Sequence, residues 1–571
     1  MTNEELLSIL ELANKIRTPT GRWSKVVQPD PIWNMMIYLV RRYFVGRLVT
    51  PSSLARAANV PYATAVRRIQ EMQAEGLIGR RPSVGGQGTF SIYPTEELLN
   101  RVLAYAEEAK ASIARSLGHD PKYGQPFYLG ASHLSASIIP APSAPKIRAK
   151  FDRPLELALY DDLAFTFPQV LGDKISKLLG GKVNFRMFPP DELRTQILSN
   201  ARSSNSAFDI VAFNLPWLGE LADLGALVAL DELIEEAKIN RADFHPAEWE
   251  GALTPEHQYG LPLQTNQEIL FCRQDFFDQA GFELPSTTEQ LLAAARAMHN
   301  PQKDVYGVAW TGRAKTPVGQ AFLQFLADFD QPLLNLRAVP GGYDATHLKG
   351  DEFRPLVESR KSRMTAEFMM QLIECSHPNV LDMSWPEPAT LFGAGKVAMA
   401  YEWANRASRF EFSKASPARA NACYLPHPVG VSGGRRLRHN NVSPIGGFAL
   451  GIPANTDPKR RSLAWHVLQW LASPEVIKLL FMRTGIVPSR FSVAADPGVR
   501  RGSRVIAAVD EMARLGQLRL WPRPPVKEYS KIVEILGEDI HAMLRKDQSV
   551  KAALSNAQAR IDALMRANGR Y

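Results

Sequence analysis

The chain is poor in cysteine and in long hydrophobic runs. It has three cysteines in 571 residues, Cys272, Cys375 and Cys423, and so small and widely spaced a set excludes a disulfide framework and a four-cysteine zinc cluster. No window of about 18 uninterrupted apolar residues occurs, so no membrane-spanning helix is expected. The first residues carry Glu4 and Glu5 instead of the basic start and apolar run of a secretory signal. We therefore expect a soluble cytoplasmic protein without membrane insertion.

Motifs for catalysis and metal binding are also missing. The segment GAGK at 393–396 lacks both the spacing of a Walker loop and the following Ser or Thr. The eleven histidines are scattered, and the spacing of acidic residues alone selects no glycosidase pair. We expect no catalytic residues, no metal and no cofactor, and therefore a protein that is not an enzyme.

The composition is that of a globular protein, with an excess of positive charge in one region. Apolar residues make up 45% and charged residues 22% of the chain, which excludes a largely disordered polypeptide. The 67 basic and 58 acidic residues give a net charge of +9. Residues 22–92 contain ten Lys or Arg against three Asp or Glu. This local excess permits contact with a polyanion such as DNA.

Periodicity and composition divide the chain into four segments. Residues 1–31 read as an amphipathic helix followed by a proline-rich connector, and residues 32–117 as a compact, mostly helical domain. Residues 118–153 are rich in Pro, Ser, Ala and Gly and are typical of a linker. From residue 154 to 571, β-branched or apolar runs alternate with longer helical patterns, which predicts an α/β fold.

The helical domain contains the pattern of two helices across a tight turn. Thr50 or Ser52 can cap a helix over SSLARAAN, and the sequence Asn-Val-Pro at 59–61 predicts the turn. A second helix is expected from Pro61 to Glu75, where the following glycine ends it. This layout is that of a helix-turn-helix.

The second helix is predicted to have one buried and one exposed face. A spacing of about 100° per residue places these residues on the packing side: Tyr62, Ala65, Val66, Ile69 and Met72. It places these on the other side, with Arg68 at the flank: Ala63, Thr64, Arg67 and Glu71. Glu71 is also at the right spacing for an ion pair with Arg67.

Two strand-like pieces, 77–81 and 89–93, and a helical pattern over 95–117 follow this helix. With them, the segment 32–117 resembles a MarR-type winged helix-turn-helix. The resemblance implies double-stranded DNA as the partner and a homodimer supported by the last helix. The residues it implies at the DNA are Ser52, Thr64, Arg67, Arg68, Arg80 and Arg81. The alternative is that the winged helix is a protein-interaction module.

Four stretches of the second region resemble the family 1 extracellular solute-binding proteins, which include maltose-binding receptors. They begin FDIVAFNLPW (208–234), YGLPLQTNQE (259–294), LFGAGKVAMAYEW (391–407) and SPIGGFALGI (443–475). The resemblance spans about 155–567, and the segments come in the expected order.

The resemblance implies a two-lobed α/β domain of the type 2 periplasmic-binding-protein class, with a ligand held between the lobes. Lobe 1 is expected at about 154–263 and 403–456, and lobe 2 at about 264–402 and 457–571. Strands that cross between the lobes are expected at 262–266, at 398–402 and near Asp457.

A sugar site needs aromatic rings against C–H faces and planar polar groups for hydroxyls. By the resemblance, these residues line the cleft: Asp161, Asp162, Trp217, Gln264, Asn266, Trp310, Arg313, Tyr401, Glu402, Trp403, Gly446, Gly447 and Tyr529. Aromatic residues at strand ends are as often core edges, and either aspartate could cap the next helix. Arg313 would favour an acidic group on the ligand or form a solvent-facing ion pair.

The fold class expected from the sequence is therefore an α+β winged helix followed by a two-lobed α/β domain. The expected function is a cytoplasmic one-component transcriptional regulator that binds operator DNA and senses a carbohydrate or sugar derivative. One alternative is the carbohydrate-binding component of an ABC importer with an extra N-terminal interaction domain. Another is a regulator with an empty cleft that responds to a partner protein.

Overall fold

The computed structural model describes residues 6–7, 9–13, 30–44, 49–82, 90–116, 139–145, 151–162, 165–339, 341–437 and 441–571. Most of the predicted segment 1–31, the tip of the predicted hairpin and most of the predicted linker 118–153 lie outside the described residues. The chain divides into two compact units, Met1–Ser137 with Ala338–Gly342, and Ile138–Arg337 with Tyr343–Tyr571.

The N-terminal unit contains helices followed by a strand pair and a long helix. Its elements are α1 (Pro31–Phe44), α2 (Pro51–Ala57), α3 (Tyr62–Ala74), β1 (Ile78–Pro82), β2 (Phe90–Pro94) and α4 (Glu96–Ser116). β1 and β2 pair antiparallel, with Arg80 opposite Ile92. The hydrophobic core of the unit draws on every one of these helices.

Local sequence explains where α2 and α3 begin and end. Thr50 caps α2, because its side chain accepts a hydrogen bond from the backbone of Ser53 while the Ser53 hydroxyl accepts one from the backbone of Thr50. Asn59 adopts a positive φ of 55° and turns the chain between the two helices. Ala65, Ile69 and Met72 form the buried stripe of α3, as the periodicity predicts.

Tyr62 differs from the expectation for α3. The periodicity places it on the packing side, but its side chain is 64% exposed. Tyr62 is the first residue of α3, and the buried residues of the helix begin three positions later at Ala65. Tyr62 is therefore exposed, and the prediction that it packs in the core is wrong.

The C-terminal unit is built from two α/β lobes. The strands from residue 155 onward are β3 (Leu155–Tyr160), β4 (Val183–Phe188), β5 (Ile210–Asn214), β6 (Leu261–Pro262), β7 (Asn266–Arg273), β8 (Tyr306–Ala309), β9 (Ala338–Val339), β10 (Gly342–Tyr343), β11 (Val397–Trp403), β12 (Ala422–Leu425), β13 (Val431–Ser432), β14 (Arg435–Arg436), β15 (Ser443–Gly446), β16 (Phe448–Gly451) and β17 (Leu518–Arg519). Of these, β9 and the first residue of β10 fall in the segment Ala338–Gly342 that is grouped with the N-terminal unit.

Helices cover these sheets on both sides. They are α5 (Phe167–Leu179), α6 (Pro190–Ala201), α7 (Leu218–Asp223), α8 (Asp231–Glu236), α9 (Pro246–Glu250), α10 (Gln274–Ala280), α11 (Thr288–Met298), α12 (Thr316–Asp328), α13 (Arg360–Glu374), α14 (Glu387–Gly393), α15 (Ser408–Glu411), α16 (Pro458–Leu471), α17 (Pro474–Thr484), α18 (Phe491–Ala495), α19 (Pro497–Gly502), α20 (Arg504–Arg514), α21 (Tyr529–Leu544) and α22 (Val550–Ala567). Within the described ranges, no helix is long and apolar enough to cross a membrane.

The first lobe contains a five-stranded sheet and the second lobe a six-stranded sheet. The first sheet has the order β4-β3-β5-β16-β6, with β3 parallel to both of its neighbours. The second has the order β17-β15-β7-β11-β8, and β12 also pairs with β7. The chain passes between the sheets at residues 263–265, from β6 to β7, and at Gly447, from β15 to β16.

Two expected crossings are not where the sequence analysis places them. Residues 397–403 form β11, which lies between β7 and β8 inside the second sheet. A strand that is paired on both sides within one sheet cannot cross to the other lobe. Asp457 caps α16, with its side chain accepting a hydrogen bond from the backbone of Lys459.

The expected lobe boundary after residue 457 also differs from the structure. Helices α16 and α17 contribute to the core around the first sheet, and α17 packs on α5. The Arg460 guanidinium donates from Nε and Nη2 to the two carboxylate oxygens of Asp209, at 2.6 Å each. This buried ion pair joins α16 to the first lobe, and the chain rejoins the second lobe at β17, which pairs with β15.

Candidate functional site

A cleft of about 890 Å³ lies between the two lobes, within the size range of small-molecule sites. It is assembled from the carboxyl end of β3, the turn after β5, both crossing segments, the end of β11 and the start of α21. The residues expected at the ligand that line this cleft are Asp162, Trp217, Asn266, Arg313, Trp403, Gly447 and Tyr529.

The first-lobe wall of the cleft is mainly aromatic. Tyr160 ends β3, and its ring centroid lies 4.5 Å from that of Phe448 at the start of β16. Trp217 follows β5 and meets Phe448 edge to face, with ring centroids 6.3 Å apart. Asp162 lines the same cleft, and its carboxylate accepts a hydrogen bond of 2.6 Å from the Arg406 guanidinium.

The crossing segments at the base of the cleft are fixed by buried hydrogen bonds. One carboxyl oxygen of Glu248 accepts hydrogen bonds from the Thr265 hydroxyl, at 2.7 Å, and from the backbone of Asn266, at 3.1 Å. The Asn266 side-chain oxygen accepts from the backbone of Asn405 at 3.4 Å. Asn266 therefore presents its amide at a defined position in the cleft.

The second-lobe wall combines aromatic rings with a buried guanidinium. Arg523 is 2% exposed; its Nε donates to the Tyr529 hydroxyl at 3.0 Å, and Nη1 donates to the carbonyl of Ile445 at 3.2 Å. The guanidinium lies 5.2 Å from the ring centroid of Trp403, close enough for a cation–π contact. A Cβ at Gly446 would lie 2.4 Å from both Trp403 and Arg523, so only glycine fits behind this pair.

Buried carboxyl groups near the crossings have raised pKa values. Burial raises the pKa of Glu248 to about 8 and that of Glu402 to about 7, because the charged form is poorly solvated there. Burial, with the neighbouring charge of Glu402, raises the pKa of Glu268 well above its usual range. Glu248 and Glu268 are therefore largely protonated near neutral pH and add little negative charge to the base of the cleft.

Two of the other expected ligand residues lie in the core of the second lobe. Trp310 is fully buried, and its indole N–H donates to the Ser376 hydroxyl at 3.0 Å. Tyr401 is also buried, with its ring 4.8 Å from those of Phe325 and His427. Trp310 directly follows β8 and Tyr401 lies within β11, and both side chains belong to the hydrophobic core of the second lobe.

The remaining expected residues surround the cleft without lining it. Gln264 is buried on the first crossing, where its backbone bridges to Pro488. Glu402 is buried and accepts a hydrogen bond from the backbone N–H of Trp403, and Gly446 lies under the Trp403 ring. Asp161 is exposed after β3, with its backbone N–H donating to the carbonyl of Phe188.

Several cleft residues were not predicted from the sequence. The structure adds Tyr160, Arg194, Lys315, Trp385, Asn405, Arg406, Phe448 and Arg523 to the lining. Tyr160 directly precedes the predicted aspartates, and Asn405 and Arg406 follow the predicted Trp403, so adjacency to a strand end was an available signal for these. Trp385 and Arg523 lie in irregular segments with no such signal.

In the N-terminal unit, the predicted DNA residues concentrate on α2, α3 and β1. Ser52 and Arg80 are exposed, Thr64 is half-buried, and the Arg67 side chain is 66% exposed. Arg68 pairs with Glu71 at 2.6 Å, and Arg67 lies 3.6 Å from the same carboxylate. The Arg80 guanidinium donates to the side chain of Gln73. The Arg81 backbone pairs with Ser91, and its side chain lies outside the described residues.

No cluster of three or more His, Cys, Asp or Glu side chains suitable for a metal ion occurs in the part of the chain that the structure describes. The cleft offers rings, amides and cations, which are groups that bind an organic ligand.

Two α/β lobes that meet at crossing strands, with a polar and aromatic cleft between them, define a two-lobed ligand-binding protein. The chain belongs to the bacterial extracellular solute-binding proteins, whose family model matches residues 166–478.

Curated relatives include a mannitol-binding protein of Pseudomonas aeruginosa, 24% identical over 52% of this chain and 63% of its own length. A maltotriose-binding protein of Pyrococcus abyssi is 22% identical over 51% of this chain and 57% of its own length. The chain thus spans less than two thirds of the length of these relatives, whose names describe binding proteins rather than enzymes.

Solved structures share the fold of the C-terminal unit. An ABC transporter solute-binding protein of Agrobacterium radiobacter in complex with ribitol has a TM-score of 0.64 at 23% identity, covering 72% of this chain and 100% of that one. A solute-binding protein of Agrobacterium vitis with bound D-mannitol has a TM-score of 0.60 at 20% identity, covering 73% and 99%.

Proposed function

We propose that the cleft binds a carbohydrate or a polyol. The observation that carries this proposal is the set of rings on both walls, Trp217 and Phe448 on one and Trp403 and Tyr529 on the other. Rings of this kind stack on the C–H faces of a sugar, and the Asn266 amide can bond its hydroxyls. The mannitol, maltotriose and ribitol named for the relatives support the same ligand class.

Isothermal titration calorimetry of the full chain against a panel of hexoses, pentitols, hexitols, disaccharides and sugar acids tests this proposal. We expect saturable binding of one ligand per chain for at least one member of the panel. Trp310→Phe is a suitable control, because Trp310 is buried away from the cleft. Absence of binding across the panel would contradict the proposal and favour a receptor that responds to a partner protein.

We further propose that the N-terminal unit is a MarR-type winged helix that binds double-stranded DNA as a homodimer. Support comes from the order α2, turn, α3, strand pair and long helix, which is that of winged helix-turn-helix proteins. In this arrangement α3 would enter the major groove with Thr64, Arg67 and Arg68, and α4 would supply the dimer contact. The ten basic residues against three acidic ones over 22–92 provide the charge that phosphate contacts need.

DNA affinity measured by fluorescence anisotropy on fragments from the gene's upstream region tests the second proposal. The double variant Arg67→Ala/Arg68→Ala should weaken binding by roughly tenfold or more and reduce the dependence of affinity on salt concentration. Arg296→Ala, an exposed arginine of the receptor unit, is the matched control and should change neither. Sedimentation analysis would show the dimer. If the protein binds none of the duplex fragments, or binds them with an affinity that does not depend on salt concentration, the assignment is contradicted.

Together these proposals describe a one-component transcriptional regulator. It would act in the cytoplasm, because that is where the chromosome lies. The receptor unit would be open when its two lobes are apart and closed when they hold the ligand between them. A ligand can change DNA affinity only if its own affinity for these two states differs. DNA binding should therefore shift when a sugar identified by calorimetry is added, and the shift should disappear in a variant that no longer binds the sugar.

A second candidate is the binding component of an ABC importer. Its support is that solved structures of the same fold include solute-binding proteins of ABC transporters. Fractionation of the native cells separates the candidates, because an importer component would be recovered outside the cytoplasm and a regulator with the nucleoid.

A further inference from the structure

The cleft contains more positive than negative side chains. The basic residues that line it are Arg194, Arg313, Lys315, Arg406, Arg523 and Lys531. The acidic residues that line it are Asp162 and Glu534. Ion pairing within the protein decides how much of this excess remains for a ligand.

Three of the six cations are neutralised by the protein itself. Arg194 donates two hydrogen bonds to Glu220, at 2.8 and 2.6 Å. Arg406 pairs with Asp162 at 2.6 Å. Lys531 pairs with Glu534 at 2.7 Å.

The other three, Arg313, Lys315 and Arg523, form no ion pair with any carboxylate among the residues that the structure describes. The solvent-facing ion pair that the sequence left open for Arg313 is thus not found there. All three lie on the second-lobe side of the cleft. Arg313 and Lys315 are exposed, so water screens their charges.

Arg523 is the decisive residue, because its charge is buried. Its hydrogen-bond partners, the Tyr529 hydroxyl and the Ile445 carbonyl, are both neutral. The carboxyl groups whose charge would act on it, Glu248 and Glu268, have raised pKa values because they are buried. An ionised group in such a site is costly unless a counter-charge accompanies it.

We propose that the ligand of the cleft is an acidic sugar, a polyhydroxylated compound whose anionic group, a carboxylate or a phosphate, is bound by Arg523 with Arg313 and Lys315. This inference rests on the proposed sugar-binding function and narrows its ligand class. A planar guanidinium offers parallel N–H donors to two oxygens of such a group, and aromatic contacts remain for the rest of the ligand.

The direct test compares ligands that differ in charge and little else. Full-length protein is titrated calorimetrically with D-glucuronate and D-glucuronamide, with D-gluconate and D-glucitol, and with D-glucose 6-phosphate and D-glucose. We expect the acid of at least one pair to bind about tenfold more tightly or better than its neutral partner, and this preference to shrink at high salt. The pair that shows it distinguishes a carboxylate ligand from a phosphate.

Substitutions then assign the preference to the named residues. Arg523→Gln should reduce affinity for the preferred acid by roughly 30-fold or more and leave the neutral partner far less affected. Because Arg523 is buried, Arg313→Gln/Lys315→Gln provides a second test at exposed positions and should cost a smaller part of the preference. Arg296→Gln removes an exposed cation of the receptor unit that does not line the cleft, and is the matched control.

The outcomes separate this inference from the proposed function. Neutral sugars or polyols that bind as tightly as the acids would overturn the inference and leave the sugar-binding proposal intact. Binding by neither kind of ligand would overturn both. An acid preference that survives Arg523→Gln and Arg313→Gln/Lys315→Gln would overturn the assignment to these cations.

Discussion

The two walls of the cleft share their aromatic character and differ in charge. The first-lobe wall presents Tyr160, Trp217 and Phe448, and its one lining carboxylate, Asp162, is already bound by Arg406. The second-lobe wall presents rings as well, but adds Arg523, Arg313 and Lys315, for which the described part of the chain supplies no carboxylate partner. Rings on both sides suit the faces of one polyhydroxylated ligand, whereas charge on one side sets its orientation.

Direct contacts between the two lobes show how a closed cleft could be stabilised. A Cβ at Gly219, in α7 of the first lobe, would lie 2.0 Å from the carbonyl oxygen of Pro525 in the second. Nearby, Lys527 of the second lobe pairs with Asp223 of the first at 3.0 Å. The lobes therefore touch at the mouth of the cleft, at backbone as well as at side chains, and a ligand that spans both walls would reinforce this contact.

Removing a ring from the second-lobe wall should cause the largest loss of ligand affinity. Trp403→Ala removes a cleft ring and also the surface on which the Arg523 guanidinium lies, so we expect a loss of about 3 kcal/mol, or a hundredfold in affinity. Basal DNA binding should be retained, because Trp403 belongs to the receptor unit. Calorimetry and anisotropy on the same sample check both parts. Trp217→Ala, on the first wall, should cost less, and an equal or greater loss there would contradict the comparison.

A substitution that keeps the two lobes from touching should cause the next largest loss of ligand affinity. In Gly219→Val the new side chain would collide with the backbone at Pro525, so the closed state should be disfavoured while each lobe keeps its own core. We expect ligand affinity to fall by roughly tenfold, since closure must then be driven against a clash. Small-angle scattering with and without ligand measures the closure directly.

Gly225→Ala is not a suitable control for that experiment, because Gly225 has a positive φ of 61°. Gly172→Ala is better, since its Cβ would only make ordinary contact with Phe185 within the first lobe. If Gly219→Val binds and closes like the parent protein, the contact at Pro525 is not part of the closing motion.

The sequence could predict the parts of the site that follow strand ends, and not the parts that tertiary folding brings in. Trp217 and Trp403 each come directly after or at the end of an apolar strand, so their place at the sheet edge follows from local pattern. Trp310 and Tyr401 satisfy the same rule, but a strand covered on both faces gives no alternation to show which side a ring takes. Arg523 reaches the cleft from an irregular segment far along the chain.

The N-terminal unit was easier to predict for a related reason. The buried stripe of α3 and the cap of α2 depend on residues three or four positions apart, so periodicity was sufficient. Within α3, Tyr62 at the first position is misplaced, and the assignment of the unit as a DNA-binding winged helix stays a prediction. The crossings and the lobe to which α16 belongs depend on partners such as Asp209, some 250 positions away from Arg460, which no local pattern contains.

The smallest expected effect on ligand affinity concerns the crossing between the walls, where a substitution should change the pH dependence of stability instead. Glu248 ionises at about 8 in the folded chain and near its usual 4.5 when unfolded, so the folded state holds an extra proton between these values. Stability should therefore fall as pH rises through this window, by about 1.4 kcal/mol for each unit of pKa difference. Glu248→Gln keeps an oxygen for Thr265 and Asn266 and should flatten the decline of melting temperature between pH 5 and 8. Some slope should remain, because the pKa values of Glu268 and Glu402 are also raised.

The control is Glu232→Gln, at an exposed position of α8, which should leave the slope unchanged. An unaltered slope in Glu248→Gln would show that this carboxyl is not held neutral between the two walls.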